Sequence, residues 1–310
     1  MQLSELGELK LIERITRELP KRSDIAVGAG DDCAVVSLSG TEDLVLTTDP
    51  VVEGVHFETG TSGEAIGRKA LGRVLSDLAA MGSEPRWALI NVVAPDDTEL
   101  TVIDGIYQGL NRLAGQFNAA VVGGDVTRGS VLELHVFGVG TVPRGKAVLR
   151  SGANAGDRVF VTGYLGGSRL GRHLQVEPRV NEGIFLRDRA SAMIDVSDGL
   201  VGDLCHLADM SGVGVRLNLE QIPVSEAAGQ MAADGVSALE HALYDGEDFE
   251  LLFTIAPEKL ADFERAWKQH TALKCTEIGI VTEKAEGICI SDSKGVRPID
   301  ECRHGFEHFR

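Results

Sequence analysis

Apolar residues recur along the chain at two spacings, which predict helices in some segments and strands in others. Helical spacing over residues 4–19 predicts an N-terminal helix that ends at Pro20. Its apolar positions are Leu6, Leu9, Ile12, Ile15 and Leu19. A longer helical pattern covers roughly residues 64–81 and stops at Gly82, and a third covers the segment LTVIDGIYQGLNRLAGQF.

Short apolar runs between these helical segments predict strands. In the first half they are CAVVSL, LVLTT, RWALINVVA, AAVVGG and LELHVFGVGTV, and in the second half AGDRVFVTG, ELLFTI and GICIS. Strands that alternate with helices indicate a mixed α/β (α+β) chain built in layers.

The length of 310 residues suggests two domains. Between Pro143 and Gly156 the sequence becomes rich in Gly, Arg and Ser, and a new predicted strand follows. We therefore predict an N-terminal domain over residues 1–147 and a C-terminal domain over residues 148–310.

The charge balance restricts the possible partners. The chain has 30 basic and 47 acidic residues, a formal net charge of -17, which argues against nucleic acids and anionic membranes. No apolar run reaches the length of about 18 residues that a membrane span needs, and the N-terminal MQLSELGELKLIERI is unlike a signal peptide. The five cysteines are widely spaced and form no CxxC pair, so we expect neither a zinc site nor a disulfide framework. These features predict a cytoplasmic protein.

Acidic residues follow several of the predicted strands, together with Gly, Ser or Thr. The segments are GAGDDCAVV, LVLTTDP, VVGGDVTRG and MIDVSDG, and Asp77 lies on the predicted helix over residues 64–81. Oxygen ligands suit hard cations such as Mg²⁺, and nearby glycines let the backbone approach phosphate oxygens. Taken singly, each segment also fits an ordinary turn, Asp198 fits a helix cap, and Asp77 fits an ion pair with Arg73. Together they indicate a nucleotide held through metal ions.

The set of motifs resembles the thiamine-monophosphate kinases, which belong to the aminoimidazole ribonucleotide synthetase-like superfamily. The matching segments cover nearly the whole chain in order. They are GAGDDCAVV, LTTDPVVEGVHF, KALGRVLSDLAAMGSEPRWAL, VVGGDVTRG, VLRSGANAGD, VTGYLGGSRLG, IDVSDGLVGDL, DGEDFELLF and HGFEHF.

The resemblance implies roles for individual residues. Those at the family's Mg²⁺-binding positions are Asp32, Thr47, Thr48, Asp49, Asp77, Asp125, Asp195 and Asp198. Those at ATP-binding positions are Asp32, Thr48, Tyr107, Gly124, Asp125, Arg150 and Ser197. His56, Glu247 and Phe306 fall at positions that contact thiamine phosphate.

The resemblance also implies an activity and an architecture. The expected reaction is direct in-line transfer of the ATP γ-phosphate to thiamine monophosphate, the final step of thiamine diphosphate biosynthesis. Several Mg²⁺ ions assist it and no general base is expected. The expected assembly is a homodimer whose N-terminal domains bind ATP and Mg²⁺ and join their sheets into a barrel, while the C-terminal domain completes the active site.

Two other functions fit the same residues. One is another ATP-dependent member of the superfamily, such as an aminoimidazole ribonucleotide synthetase or a selenophosphate synthetase. The reactive cysteine of a selenophosphate synthetase would have only Cys33 as a candidate. The other is a non-catalytic protein that binds a divalent cation or a nucleotide.

Overall fold

The computed structural model describes residues 2–17, 19, 21–38, 40–232 and 235–299. The elements of the first half are α1 (Leu3–Leu6), α2 (Glu8–Thr16), β1 (Ile25–Val27), β2 (Ala34–Ser37), β3 (Glu42–Val52), α3 (Gly63–Ala80), β4 (Glu84–Ala94), α4 (Leu100–Gln116), β5 (Ala120–Arg128) and β6 (Glu133–Pro143). Those of the second half are β7 (Arg158–Thr162), α5 (Val180–Leu186), β8 (Ala190–Asp195), α6 (Leu200–Ser211), β9 (Gly214–Asn218), α7 (Glu226–Met231), α8 (Ala238–Tyr244), β10 (Leu251–Ile255), α9 (Leu260–His270), β11 (Cys275–Thr282), β12 (Ile288–Asp292) and β13 (Gly295–Pro298).

Each half of the chain builds one mixed sheet. The first sheet has the strand order β1-β2-β3-β6-β4-β5, and only its β4–β5 pair is parallel. The second has the order β13-β12-β9-β11-β7-β10-β8. The predicted mixed α/β class is therefore confirmed. Over the described residues the first sheet does not close into a barrel, because β1 and β5 remain its edges.

The helix α3 lies at the junction of the two halves. It contacts β3 and β6 of the first sheet and also β8 and α5 of the second half. One cluster of buried apolar side chains continues across this junction, from Leu78 and Val136 to Phe160, Met193 and Phe253. A second cluster packs the other face of the second sheet against α6 and α8. Because α3 is enclosed in this way, its polar side chains face groups from both halves.

Helices α3 and α4 cross closely because glycines lie at the contact. A Cβ atom added to Gly67 would lie 2.1 Å from the carbonyl oxygen of Ile106, and one added to Gly109 would lie 2.1 Å from the carbonyl oxygen of Glu64. No larger residue fits at either position without moving a helix backbone.

Two sequence predictions need correction. The helix predicted over residues 4–19 is divided into α1 and α2, because Gly7 between them has a φ of 79° that no continuous helix allows. Cys33, Cys275 and Cys289 are free thiols, but Cys205 is disulfide-bonded, so the expectation that no disulfide framework exists is corrected by a single bond. Spacing along the chain does not determine which cysteines meet in space. Among the described residues, no helix combines the length and apolar character of a membrane span.

Candidate active site

One face of α3 presents polar side chains to a cleft between the two halves. Lys69, Arg73, Ser76 and Asp77 recur at intervals of three or four residues, which places them along one stripe of a helix. Lys69 is fully buried, with 0% of its surface exposed. A buried stripe of this kind needs partners for its charges, and the cleft supplies them.

Three carboxylates from separate elements meet at the floor of this cleft. Asp32 lies between β1 and β2, Asp77 in the last turn of α3, and Asp195 at the end of β8. One oxygen of each lies within 4.8 Å of the others. The Arg150 guanidinium donates to Asp32 at 2.7 Å, the Thr47 hydroxyl to Asp77 at 2.6 Å and the Ser76 hydroxyl to Asp195 at 2.6 Å.

Burial makes the ionised form of this acidic centre unfavourable. Burial first, and then the charges of Asp49 and Asp195, raise the pKa of Asp77 well above its ordinary value. Burial, followed by the charge of Asp32, raises the pKa of Asp195 to about 7. Both carboxyls therefore keep protons at pH values where an isolated aspartate is ionised, unless a cation lies among them.

The donor set fits a divalent cation. All three side chains offer hard oxygen ligands, and Asp32 Oδ2 is buried without a hydrogen-bond partner among the described residues. An acceptor atom left in this state costs free energy, which a metal ligand bond would remove. Mg²⁺ or a similar hard cation matches these groups better than a softer metal.

The surrounding cleft has a volume of about 640 Å³. Its lining includes most of the residues predicted to bind metal, ATP or acceptor: Asp32, Thr47, Thr48, Asp49, His56, Asp77, Arg150, Asp195, Ser197, Asp198 and Glu247. Gly199, not Asp198, occupies the N-cap position of α6. The backbone N–H groups of Ser197 and Asp198 donate to Asp203 at 3.0 and 3.1 Å.

The other end of the cleft is built around Glu247. Its carboxylate lies 2.6 Å from the Lys69 ammonium, which also donates to the carbonyl oxygen of His56 at 2.5 Å. Glu247 and Phe249 have φ values of 65° and 52°, which side chains with a Cβ rarely adopt. Their N–H groups donate to the carbonyl oxygens of Ser197 and Val196 and hold this strained turn against the cleft.

Three predicted residues lie elsewhere. Tyr107, Gly124 and Asp125 line an open groove of about 710 Å³ beside the edge strand β5. No residue that lines this groove also lines the cleft. The structure therefore does not bring Asp125 together with the acidic centre of its own chain. Phe306 lies outside the described residues.

Sequence reasoning missed several groups of the site. The sequence suggests Arg73 only as a partner of Asp77, but Arg73 donates to Asp49 and Glu247 instead. Lys69 and Ser76 are absent from the residues that the motifs predict. The signal for Lys69 and Arg73 was available, since both precede Asp77 at helical spacing and therefore share its face.

The chain is similar in sequence and in structure to known proteins. The family model for the AIR synthase related protein N-terminal domain matches residues 30–142, and the model for its C-terminal domain matches residues 154–291. The thiamine-monophosphate kinase of Aquifex aeolicus (strain VF5) is 36% identical over the full length of both chains. That of Escherichia coli (strain K12) is 36% identical over 98% of each chain.

A solved structure described as AaThiL complexed with AMPPCP and TMP covers 99% of both chains, with 35% identity and a TM-score of 0.86. The thiamine-monophosphate kinase of Stenotrophomonas maltophilia K279a covers 90% of this chain and 95% of its own, with 34% identity and a TM-score of 0.75. The chain therefore belongs to the thiamine-monophosphate kinase family of AIR synthase related proteins.

Proposed function

We propose that this chain transfers the γ-phosphate of ATP to thiamine monophosphate and forms thiamine diphosphate, the final step in the biosynthesis of that cofactor. The observation that carries the proposal is the buried centre of Asp32, Asp77 and Asp195 in a cleft that both halves enclose. It is supported by relatives named thiamine-monophosphate kinase that match the whole chain.

The acidic end of the cleft is the proposed site for Mg²⁺ and the ATP phosphates. Bound Mg²⁺ supplies the positive charge that offsets repulsion between two phosphate groups. The proposed ligands in the cleft are Asp32, Thr47, Thr48, Asp49, Asp77, Asp195 and Asp198. Arg150 and the polar groups of Ser197 and Thr48 orient the nucleotide, since a guanidinium binds phosphate oxygens through charge-assisted hydrogen bonds.

The acceptor needs no general base. The second ionisation of a phosphate monoester lies near pH 6, so its oxygen is already anionic at neutral pH. The geometry of His56 agrees with this, because its Nδ1 accepts a hydrogen bond from the Val52 N–H at 3.1 Å. Because Nδ1 is already an acceptor in this bond, it is not available to take a proton from the acceptor phosphate. We propose direct in-line transfer without a phosphoenzyme.

Glu247 and Phe306 are proposed to bind the organic part of the acceptor. The Glu247 carboxylate can accept hydrogen bonds from an aminopyrimidine, and the Phe306 ring can stack on a heterocycle. The Glu247 turn is anchored on the backbone that follows β8, so the acceptor site is coupled to the strand that carries Asp195.

The groove beside β5 supports a homodimer. β5 is an edge strand with Val122 and Val126 exposed, and its neighbour β4 exposes Trp87 and Leu89. Edge strands with apolar side chains are sites where a second chain can pair. A partner at β5 would join two sheets toward a barrel and bring Tyr107, Gly124 and Asp125 to a completed ATP site. We place the dimerisation and ATP-binding functions in residues 1–147, the completion of the site in residues 148–310, and the protein in the cytoplasm.

A selenophosphate synthetase-like function is less well supported. Cys33 is 2% exposed, and burial followed by the surrounding carboxylates raises its pKa well above that of an ordinary thiol. A nucleophilic cysteine needs the opposite environment.

The test of the proposed function is product formation. The purified chain is incubated with ATP and Mg²⁺, with and without thiamine monophosphate, and ADP and thiamine diphosphate are measured by chromatography. We expect both products in equal amounts and only when thiamine monophosphate is present. ADP formation without thiamine diphosphate would support another ATP-dependent member of the superfamily. Nucleotide binding with no turnover of any acceptor would support the non-catalytic alternative.

A further inference from the structure

Arg73 lies between the two ends of the cleft. Its Nη2 donates to Asp49 at 3.1 Å, and its Nη1 lies 3.4 Å from Glu247. Asp49 is a proposed metal ligand and Glu247 a proposed acceptor ligand. The guanidinium therefore lies where the acceptor phosphate must approach the nucleotide.

The contacts of Arg73 with Asp49 and Glu247 leave part of its hydrogen-bonding capacity unused. Glu247 already has a closer cation, the Lys69 ammonium at 2.6 Å, so the longer contact from Arg73 is not needed to neutralise it. The Arg73 side chain is only 15% exposed, and its Nε is buried without an acceptor in the part of the chain that the structure describes. Leaving a buried N–H donor unpaired costs free energy, which an acceptor atom on a bound ligand would recover.

The chemistry of the side chain identifies this ligand. A guanidinium stays charged at every physiological pH and presents a planar fork of N–H donors that matches phosphate oxygens. Arg169 also lines the cleft, so the acceptor end is not purely acidic. Arg73 therefore offers positive charge to an anionic group that lies between Glu247 and Asp49.

We propose that Arg73 binds the phosphate of the acceptor and makes that phosphate a requirement for acceptor binding. This inference rests on the proposed function, since it takes thiamine monophosphate as the acceptor. Arg73 is then a specificity-determining residue that distinguishes thiamine monophosphate from the unphosphorylated alcohol thiamine, which shares both rings but lacks the anion.

The experiment compares equilibrium binding of thiamine monophosphate and thiamine by isothermal titration calorimetry, first in EDTA and then with Mg²⁺ and AMPPCP. The wild-type chain is expected to prefer thiamine monophosphate in both conditions. Arg73→Gln should lower this preference by about tenfold or more, the usual effect of losing a hydrogen-bonded charge. It should leave thiamine affinity unchanged. Arg73→Lys keeps the positive charge but not the planar fork of N–H donors, so we expect a smaller loss of the preference for thiamine monophosphate.

Arg112→Gln is the matched control, because Arg112 pairs with Glu64 at an exposed contact between α3 and α4. It should keep the wild-type preference. An unchanged preference in both Arg73→Gln and Arg73→Lys would overturn the inference. An equal loss of affinity for thiamine monophosphate and for thiamine would also overturn it, as would a loss confined to AMPPCP affinity. A preference for thiamine monophosphate that exists only with Mg²⁺ would overturn it too, since Arg73 would then act through Asp49. A wild-type chain that forms no thiamine diphosphate refutes the proposed function instead, whatever the binding ratio.

Discussion

At the scale of single residues, Asp77 lies in an environment that strongly disfavours an ionised carboxylate. It is enclosed by Asp32 and Asp195, and its one neutral partner in the centre is the hydroxyl of Thr47. A protein that kept this carboxylate for stability alone would gain by replacing it. Its position is therefore better explained by a bound cation than by folding.

Replacing Asp77 by Asn should separate stability from activity. Asn has the same size and its oxygen can still accept from Thr47, but it removes an ionisable group whose charged form burial disfavours. In EDTA we expect the melting temperature to rise by a few degrees, and Mg²⁺ to stabilise the variant less than the wild type. Formation of thiamine diphosphate should fall by about 100-fold or more, as when an electrostatic contact to the transition state is lost.

Differential scanning fluorimetry with and without Mg²⁺, together with the product assay, checks this prediction. Asp188→Asn is the control, because Asp188 is exposed and pairs only weakly with Lys146 at 3.1 Å. It should change neither quantity. Wild-type activity in Asp77→Asn would remove Asp77 from the proposed metal site.

At the scale of elements, the crossing of α3 and α4 sets the position of the functional stripe. Gly67 lies on the turn before Lys69, and its missing side chain lets the α4 backbone approach. Any displacement of α3 moves Lys69, Arg73 and Asp77 together, because a helix behaves as a rigid unit over two turns. A change in the packing of α3 against α4 therefore also changes the positions of the functional side chains.

Gly67→Ala should therefore destabilise the protein although alanine is the better helix former. Its Cβ would lie 2.1 Å from the Ile106 carbonyl oxygen, and we expect the free energy of unfolding to fall by about 1–3 kcal/mol or more. Gly115→Ala in α4 is the matched control, since nothing lies within 4 Å of the added carbon. It should raise the free energy of unfolding by up to about 1 kcal/mol. Urea denaturation measures both, and equal effects would contradict the close crossing.

At the scale of the whole molecule, the exposed edge of the first sheet is the feature that a single chain leaves incomplete. The edge strand β5 is exposed at nearly every position, although it carries two of the proposed ATP-binding residues. Binding residues in an open groove, away from the acidic centre, are explained if a second chain covers them.

The homodimer predicts the effect of a charge on β5. Val126 is 73% exposed, and Val126→Asp should convert a dimer into a monomer and weaken AMPPCP binding, since a buried unpaired charge is costly. Val296→Asp is the control, because Val296 is 59% exposed on β13, an edge strand of the other sheet. Light scattering coupled to size-exclusion chromatography should show a dimer for this variant. A dimeric Val126→Asp variant would place the interface elsewhere, and a monomeric wild type would refute the homodimer.

Much of the local structure could be predicted from the sequence. The helix predicted over residues 64–81 is Gly63–Ala80, and the segment RWALINVVA lies within Glu84–Ala94, because side-chain periodicity reports directly on backbone geometry. The predicted N-terminal helix failed at Gly7, where one glycine with positive φ outweighs an apolar pattern that continues through it.

The sequence by itself determined which acids follow strands, where the long helices begin and end, and the family to which the motifs belong. Only the tertiary structure decided that Asp32, Asp77 and Asp195 meet, that Asp125 remains apart from them, and that Arg73 contacts Asp49 and Glu247 instead of Asp77. The physical reason is that a repeat of two or 3.6 residues fixes neighbours within one element. The neighbours between elements depend on how sheets and helices pack, and no local pattern encodes that packing.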